Sequence, residues 1–285
     1  MMRWWGMVHH LIIPFLRDRP MRKTLSFLFT LWKINLLSAM EYRVAFLLQV
    51  FGMMLNNAFY FVFWVIFFDR FEQVNGWALE DMFMLFGVVA VAFGAGTYLF
   101  GNTLHLASII ANGELDYYLS LPKPVLLHVL ASRSIASSAG DFLYGLFSFV
   151  VTIAVTGEFS GGMLARYLLA CVAATAVVVG FLVLVQSLAF WIGNASLLTS
   201  NAVNAIITFS LYPITLFDGT AKLLLFTVIP AAFVGALPAQ FVRSFAWSSL
   251  GQLLLGATVF LGLAIVVFHR GLRRYESGSA IQVRM

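Results

Sequence analysis

The sequence predicts an all-α integral membrane protein. Its parts are six transmembrane helices, an N-terminal amphipathic interfacial helix, a short cytoplasmic helix between spans two and three, and re-entrant half-helices before span six. Three observations predict it. Of 285 residues, 61% are hydrophobic and only 10% charged, against about 25% charged in a soluble domain. Residues 167–217 contain no Asp, Glu, Lys or Arg, which is room for two of the roughly 20-residue stretches that cross a bilayer. Lys and Arg also gather in alternate inter-span segments, the pattern of cytoplasmic flanks. The chain divides into a cytoplasmic N-terminal segment (1–43), a six-span domain (44–268) and a cytoplasmic tail (269–285).

The N-terminal segment is basic, with Arg3, Arg17, Arg19, Arg22, Lys23, Lys33 and Arg43 against Asp18 and Glu41. Its first twenty residues are not a cleavable signal: the apolar stretch is short, broken by His9, His10 and Pro14, and followed by charge. Residues 23–41 read as an amphipathic helix. Lys23, Ser26, Thr30, Lys33 and Glu41 form one stripe and Phe27, Phe29, Leu31, Trp32, Leu36 and Met40 cover the rest, with Asn35 and Ser38 interrupting. Such a helix favours the headgroup plane; the alternative, a short first span, must bury Lys33.

Span one is 44–68. It carries Gln49, Asn56 and Asn57, mid-span amides that serve either helix packing or a substrate path. After an acidic loop (69–81), span two covers 82–100, with Gly87, Gly94 and Gly96 permitting close packing. The polar stretch 109–122, IIANGELDYYLSLP, follows. Two carboxylates, Glu114 and Asp116, exclude it from the hydrocarbon. Span three reads as one long helix over 125–156, with Arg133, Ser137 and Ser138 protruding. Asp141 there is either paired with Arg133 at the boundary or part of a conduction path. Span four is 167–192 and span five about 201–217, where Asn201 and Asn204 pose the same choice as Asn56 and Asn57. Residues 218–249 are too interrupted by proline to cross cleanly, and Pro213, Pro230 and Pro238 mark a segment that leaves and returns on one side. Span six is 250–268. Six spans with both ends in the cytoplasm is the parity that agrees with the basic flanks.

Several kinds of chemistry find no support. The formal charge of +5 is concentrated in flanks and indicates no nucleic-acid partner. Cys171 is the single cysteine and reads as a buried hydrophobe. The five histidines, His9, His10, His105, His128 and His269, lie in flanks or loops, so no metal or catalytic residue is assigned. Residues 159–162 read FSGG, but no GxxxxGK[ST] loop occurs and no lysine follows a glycine, so the chain has no phosphate cradle.

The order of elements, with Ile110, Gly113, Leu115, Asp116, Leu119 and Pro122 in an I-x-x-G-x-L-D-x-x-L-x-x-P pattern, resembles the type-2 ABC transporter permeases. The prolines at 213, 230 and 238 add to the likeness. The branch it most resembles is that of small six-span exporter subunits of the viologen and drug exporter type. The resemblance implies a coupling helix formed by Gly113, Glu114, Leu115, Asp116, Tyr117, Tyr118, Leu119 and Pro122. Leu115, Tyr117, Tyr118 and Leu119 would fill a groove on a separate ABC ATPase homodimer. It also implies a second permease, identical or homologous, and a bacterial inner-membrane location. ATP and Mg would bind the ATPase and no cofactor this chain. The implied cargo is an amphiphilic or hydrophobic molecule, a drug or cation among them; a lipid or polysaccharide cargo, or a non-transporting scaffold, are the alternatives.

Overall fold

The computed structural model describes residues 21–275; the expectations for residues 1–20 and 276–285 fall outside the described residues. The order is α1 (Met21–Ala39), α2 (Arg43–Arg70), α3 (Leu79–Leu99), α4 (Leu106–Ala111), α5 (Leu115–Leu119), α6 (Val125–Ala131), α7 (Ser138–Thr156), α8 (Gly161–Gln186), α9 (Ala189–Ile192), α10 (Ser196–Ser210), α11 (Gly219–Thr227), α12 (Ala236–Arg243) and α13 (Trp247–Leu272). By length and composition five helical stretches can cross a membrane, or up to six if the bent pair containing α11 and α12 is one span.

The side-chain contacts decide which segments share an end. At one end, Arg243 on α12 pairs with Asp81 at the start of α3 at 2.8 Å and donates to the Gly76 carbonyl. Asn75 donates to the carbonyl of Thr215. These loops are held in register by a tight turn in which Asn75 (φ 49) and Gly76 (φ 80) both adopt positive φ, the geometry of an Asn-Gly hairpin turn. At the other end, Leu106, Leu115, Ala195 and Phe268 share one buried cluster, and Tyr275 packs on it. Residues 196–214 therefore run from the second end to the first, and α10 is a crossing although it has only 15 residues. The chain both leaves for α11 and returns from α12 at the Asp81 end. The two stretches meet at 67°, so this is a re-entrant pair and the crossings among the described residues number six.

Two boundaries differ from expectation. Span three is not one helix: α6 and α7 are separated by residues 132–137. There the backbone bonds to neighbours instead of to its own ladder, with Gly101 N–H donating to Arg133 O at 2.9 Å and Ile135 N–H to Thr97 O at 3.3 Å. Span five ends at Ser210 rather than near 217, because Pro213 has no N–H and disfavours helix in the residue before it. Pro230 lies at the bend, whereas Pro238 sits in the first turn of α12, where a missing N–H costs nothing.

The interior is built round α3. It packs on α7 and α8, and α8 on α13, through glycines that let backbones touch. A Cβ on Gly94 would lie 2.5 Å from Phe142 N, and one on Gly145 would lie 2.6 Å from Gly87 O. Tyr167 on α8 closes this layer by donating to Gly145 O at 2.9 Å. By contrast α2 and α10 leave most of their length exposed.

The N-terminal helix is tied to the Asp116 end and runs through one 3-10 turn into α2. Trp32 Nε1 donates to Leu99 O at 2.8 Å, and Asn35, an interruption in the amphipathic pattern, donates to Ala131 O at 3.2 Å and Ser134 Oγ at 3.1 Å. Phe27 meets His128 edge to face, with the Lys123 ammonium 4.4 Å from its ring centre. Burial, aided by Lys123, lowers the His128 pKa. The free imidazole titrates near about 6.5. A histidine kept neutral in the fold stabilises it above that pH, and the contribution is lost as the pH falls through about 6.5 towards the lower folded value. Amide-exchange protection in residues 21–39, taken relative to the intrinsic rate at each pH, should therefore fall on acidification below about pH 6.5, and His128→Phe should abolish that pH dependence. For the glycine seam, Gly145→Leu should destabilise the protein by at least about 1–3 kcal/mol through overpacking, read as a lowered melting temperature in detergent. Gly262→Leu, with nothing within 4 Å of its Cβ, should leave it unchanged.

Candidate functional site

The polar stretch forms a small module at the Asp116 end. Helix α4 closes with paired bonds, Glu114 N–H to Ile109 O at 3.0 Å and Gly113 N–H to Ile110 O at 3.3 Å. Gly113 is at φ 76, the left-handed residue that such a helix stop demands. The chain then re-enters helix for the five residues of α5 and is halted at Pro122, after which Pro124 begins α6. Around it, Gln186 Oε1 on α8 accepts from Ala107 N–H at 3.0 Å, and Asn102 donates to Val129 O at 2.8 Å.

The faces of α5 differ from the expectation that four of its side chains meet a partner. Leu115 is fully buried. Tyr118 lies 2.9 Å from Ser132 Oγ and edge to face with His128. These two hold the helix to its own protein, because side chains three apart share one helical face. The outward face carries Glu114, Tyr117 and Leu119, the last two 65% and 44% exposed. Asp116 is half-buried beside Tyr275 at the end of α13. Burial, and after it the Asp116 carboxylate, push that hydroxyl up to about 12. The module therefore lies at the same end as the basic residues Arg270, Arg273 and Arg274.

A second feature is a cleft of about 540 Å³ between α2, α3, α7 and α10. Its walls repeat at helical spacing: Met53, Asn56, Asn57, Tyr60 and Trp64 from α2, Phe86, Val89, Ala90, Phe93 and Thr97 from α3, and Val203, Asn204, Ile207 and Leu211 from α10. Asn56, Asn57 and Asn204 line it and Asn201 does not. The Asp141–Arg133 pairing is absent. Asp141 is 7% exposed and accepts from Asn57 Nδ2 at 2.7 Å. Arg133, on the far side of the helix break, lies near His105, whose pKa is lowered by burial and then by that guanidinium. The cleft floor is tied by Thr97 Oγ1 and Ser138 Oγ, 2.6 Å apart. The sequence had offered a conduction-path role for Asp141 as one of two readings, but nothing in it joined Asp141 to Asn57.

Among the described residues no group of three or more His, Cys, Asp or Glu side chains is placed to hold a metal ion. Cys171 is free and buried.

No curated protein and no solved structure matches the chain. The sequence profile of the family described as ABC-2 family transporter protein matches residues 54–279. That range takes in five of the six crossings whole, most of the first, the exposed helix and every wall of the cleft but Met53. A multi-pass helical bundle, with an exposed polar helix after the second crossing and a re-entrant pair before the last, is thus matched over well more than half its length: the chain belongs to the ABC-2 family of transporter proteins.

Proposed function

We propose that this chain is the membrane permease subunit of an ATP-driven exporter and moves an amphiphilic or hydrophobic molecule out of the cytoplasm. Family membership implies a membrane and an ABC ATPase partner. The finer reading is that a separate ATPase homodimer, carrying ATP and Mg, takes α5 as its contact, and that two permeases, identical or homologous, share it. The observation that carries this reading is the geometry of α5. A helix fixed from behind by Leu115, Tyr118 and Tyr275 presents Glu114, Tyr117 and Leu119 outward, so force on its outer face passes into the bundle instead of being absorbed by a loop.

The orientation follows from charge. At the α5 end stand Arg22, Lys23, Lys33, Arg43, Lys123, Arg133, Arg270, Arg273 and Arg274; the opposite end has Arg70, Arg166, Lys222 and Arg243 among Asp69, Glu72, Glu80, Asp81, Glu158 and Asp218. Cytoplasmic flanks are the basic ones, which puts α5 and both termini in the cytoplasm of a bacterial inner membrane. In a Cys171→Ala background, cysteines at Glu72 and Gly161 should react with an impermeant maleimide in intact cells, and one at Asn112 only after lysis. The reverse pattern overturns the orientation.

Docking is tested by combining Glu114→Arg with Tyr117→Ala. Both side chains are exposed, so the variant should insert normally yet lose at least about tenfold in ABC ATPase recovered by co-purification, as loss of a buried aromatic anchor does at other interfaces. Undiminished recovery would refute the α5 contact. Recovery of the ATPase without any turnover response to amphiphiles would instead make the chain a scaffold.

A further inference from the structure

The cleft contains one carboxylate and nothing inside the protein to balance it. Asp141 is nearly buried, and its one hydrogen-bond donor among the described residues is the neutral amide of Asn57, halfway along α2. No Lys, Arg or His is among the cleft-lining residues. Leaving a buried carboxylate without a positive charge is costly, and an ionisable group within a membrane segment marks a pathway by default. The contrast with the other large void is instructive. The polar pocket at the Asp81 end, of about 680 Å³, mixes Glu80, Asp81 and Glu158 with Arg166 and Arg243, and there the buried carboxylate, Asp81, has its own guanidinium at 2.8 Å.

We propose that the cleft is a binding site for an organic monocation with an apolar body, and that Asp141, positioned by Asn57, is its counter-charge. The volume falls within the roughly 300–1,000 Å³ of small-molecule sites. Aromatic side chains share the cleft with the carboxylate: Tyr60, Trp64, Phe86, Phe93 and Tyr212 line the same space, and such rings attract a cation through their quadrupoles. A neutral ligand would leave Asp141 uncompensated and an anion would be repelled by it. The mouth lies on the side of the bundle, where Asn56, Tyr60 and Asn204 are exposed between α2 and α10. A hydrophobic cation partitioned in the bilayer can therefore enter sideways. The word cargo for this ligand rests on the exporter reading; the binding itself does not.

The test uses the full chain in lipid nanodiscs, without ATPase, and two ions of the same shape and opposite charge, tetraphenylphosphonium and tetraphenylborate. Binding is read against empty nanodiscs. The wild type should bind the phosphonium at least about tenfold more tightly than the borate, the scale set by one charge-assisted contact. Asp141→Asn should weaken the phosphonium by a similar factor and leave the borate unchanged, while Asp141→Glu retains the preference. Asn204→Lys, which supplies an internal cation from the facing wall, should abolish phosphonium binding with Asp141 intact. It decides the matter if Asp141→Asn fails to fold. Equal affinity for the two ions, or phosphonium affinity unchanged in Asn204→Lys, overturns the site. Loss of ATPase recovery in the α5 variant with phosphonium binding preserved would leave the site standing and the docking contact separately confirmed.

Discussion

A backbone inside hydrocarbon has no water to bond with, so every departure from helix must be served by protein groups or lie outside the apolar layer. This constraint explains where the chain is irregular. Apart from the buried bend at Pro230, the breaks named here occur at the two ends of the bundle and have a polar side chain attending them. Asn35 serves Ala131 and Ser134 at the α6–α7 break. Asn102 serves Val129 in the same module, and Gln186 serves the Ala107 N–H in the first turn of α4. Asn75 and Arg243 do this at the opposite end. These are long-range bonds between helix ends. They tie the short elements to the spans and convert what would be loops into rigid parts.

Packing divides the bundle into a stiff portion and a yielding one. Helices α3, α7, α8 and α13 approach through glycines at Gly87, Gly94, Gly145 and Gly180, where a Cβ would strike backbone or side chain of the facing helix. Interhelical contact of this kind comes from van der Waals fit, since lipid offers no hydrophobic drive. Helices α2 and α10 have no such seam with α3, and they are the walls that meet at the cleft mouth. Both are nonetheless seated at one point on a glycine, α2 where a Cβ on Gly140 of α7 would strike Val50 O and the end of α10 where one on Gly235 would strike Ser210 O, so motion that widens the cleft must pivot about these contacts.

Much of this was readable from residue order alone. Uncharged tracts located α2, α3, α8 and α13 to within a few residues, because a roughly 30 Å apolar layer demands lengths that few other structures need. The stretch 109–122 was readable as lying outside the hydrocarbon from Glu114 and Asp116, whereas its helix came only from the family resemblance and the left-handed stop at Gly113 from the structure. The side chains of α5 were misjudged because amphipathicity in five residues leaves the inward face undecided: Leu115 and Tyr118 look as fit for a partner as Tyr117 and Leu119. The break at 132–137 escaped notice because its cause lies in Gly101, Thr97 and Asn35, far away in the chain. Of the two readings open for Asp141, the pairing with Arg133 rested on proximity in sequence, whereas its donor, Asn57, is on a helix that pattern alone cannot place beside it.

These separate findings join at Thr97 and Ser138. Force on α5 reaches Leu115 and Tyr118, and through Tyr118 and Ser132 enters the break that carries Arg133 and Ile135. There the chain is bonded to the end of α3 at Gly101 and Thr97, and Thr97 is bonded in turn to Ser138. Ser138 is the first residue of α7, and Asp141 stands three residues on, one turn deeper on the same helical face. A displacement of α5 is thus delivered to the cleft floor within a turn of its one carboxylate. Coupling across a protein needs an element with two arrangements that both sites can bias. Residues 132–137 supply the physical connection for such an element: a non-helical segment held at both ends by side-chain and backbone bonds, short enough to tie the end of α6 to the start of α7.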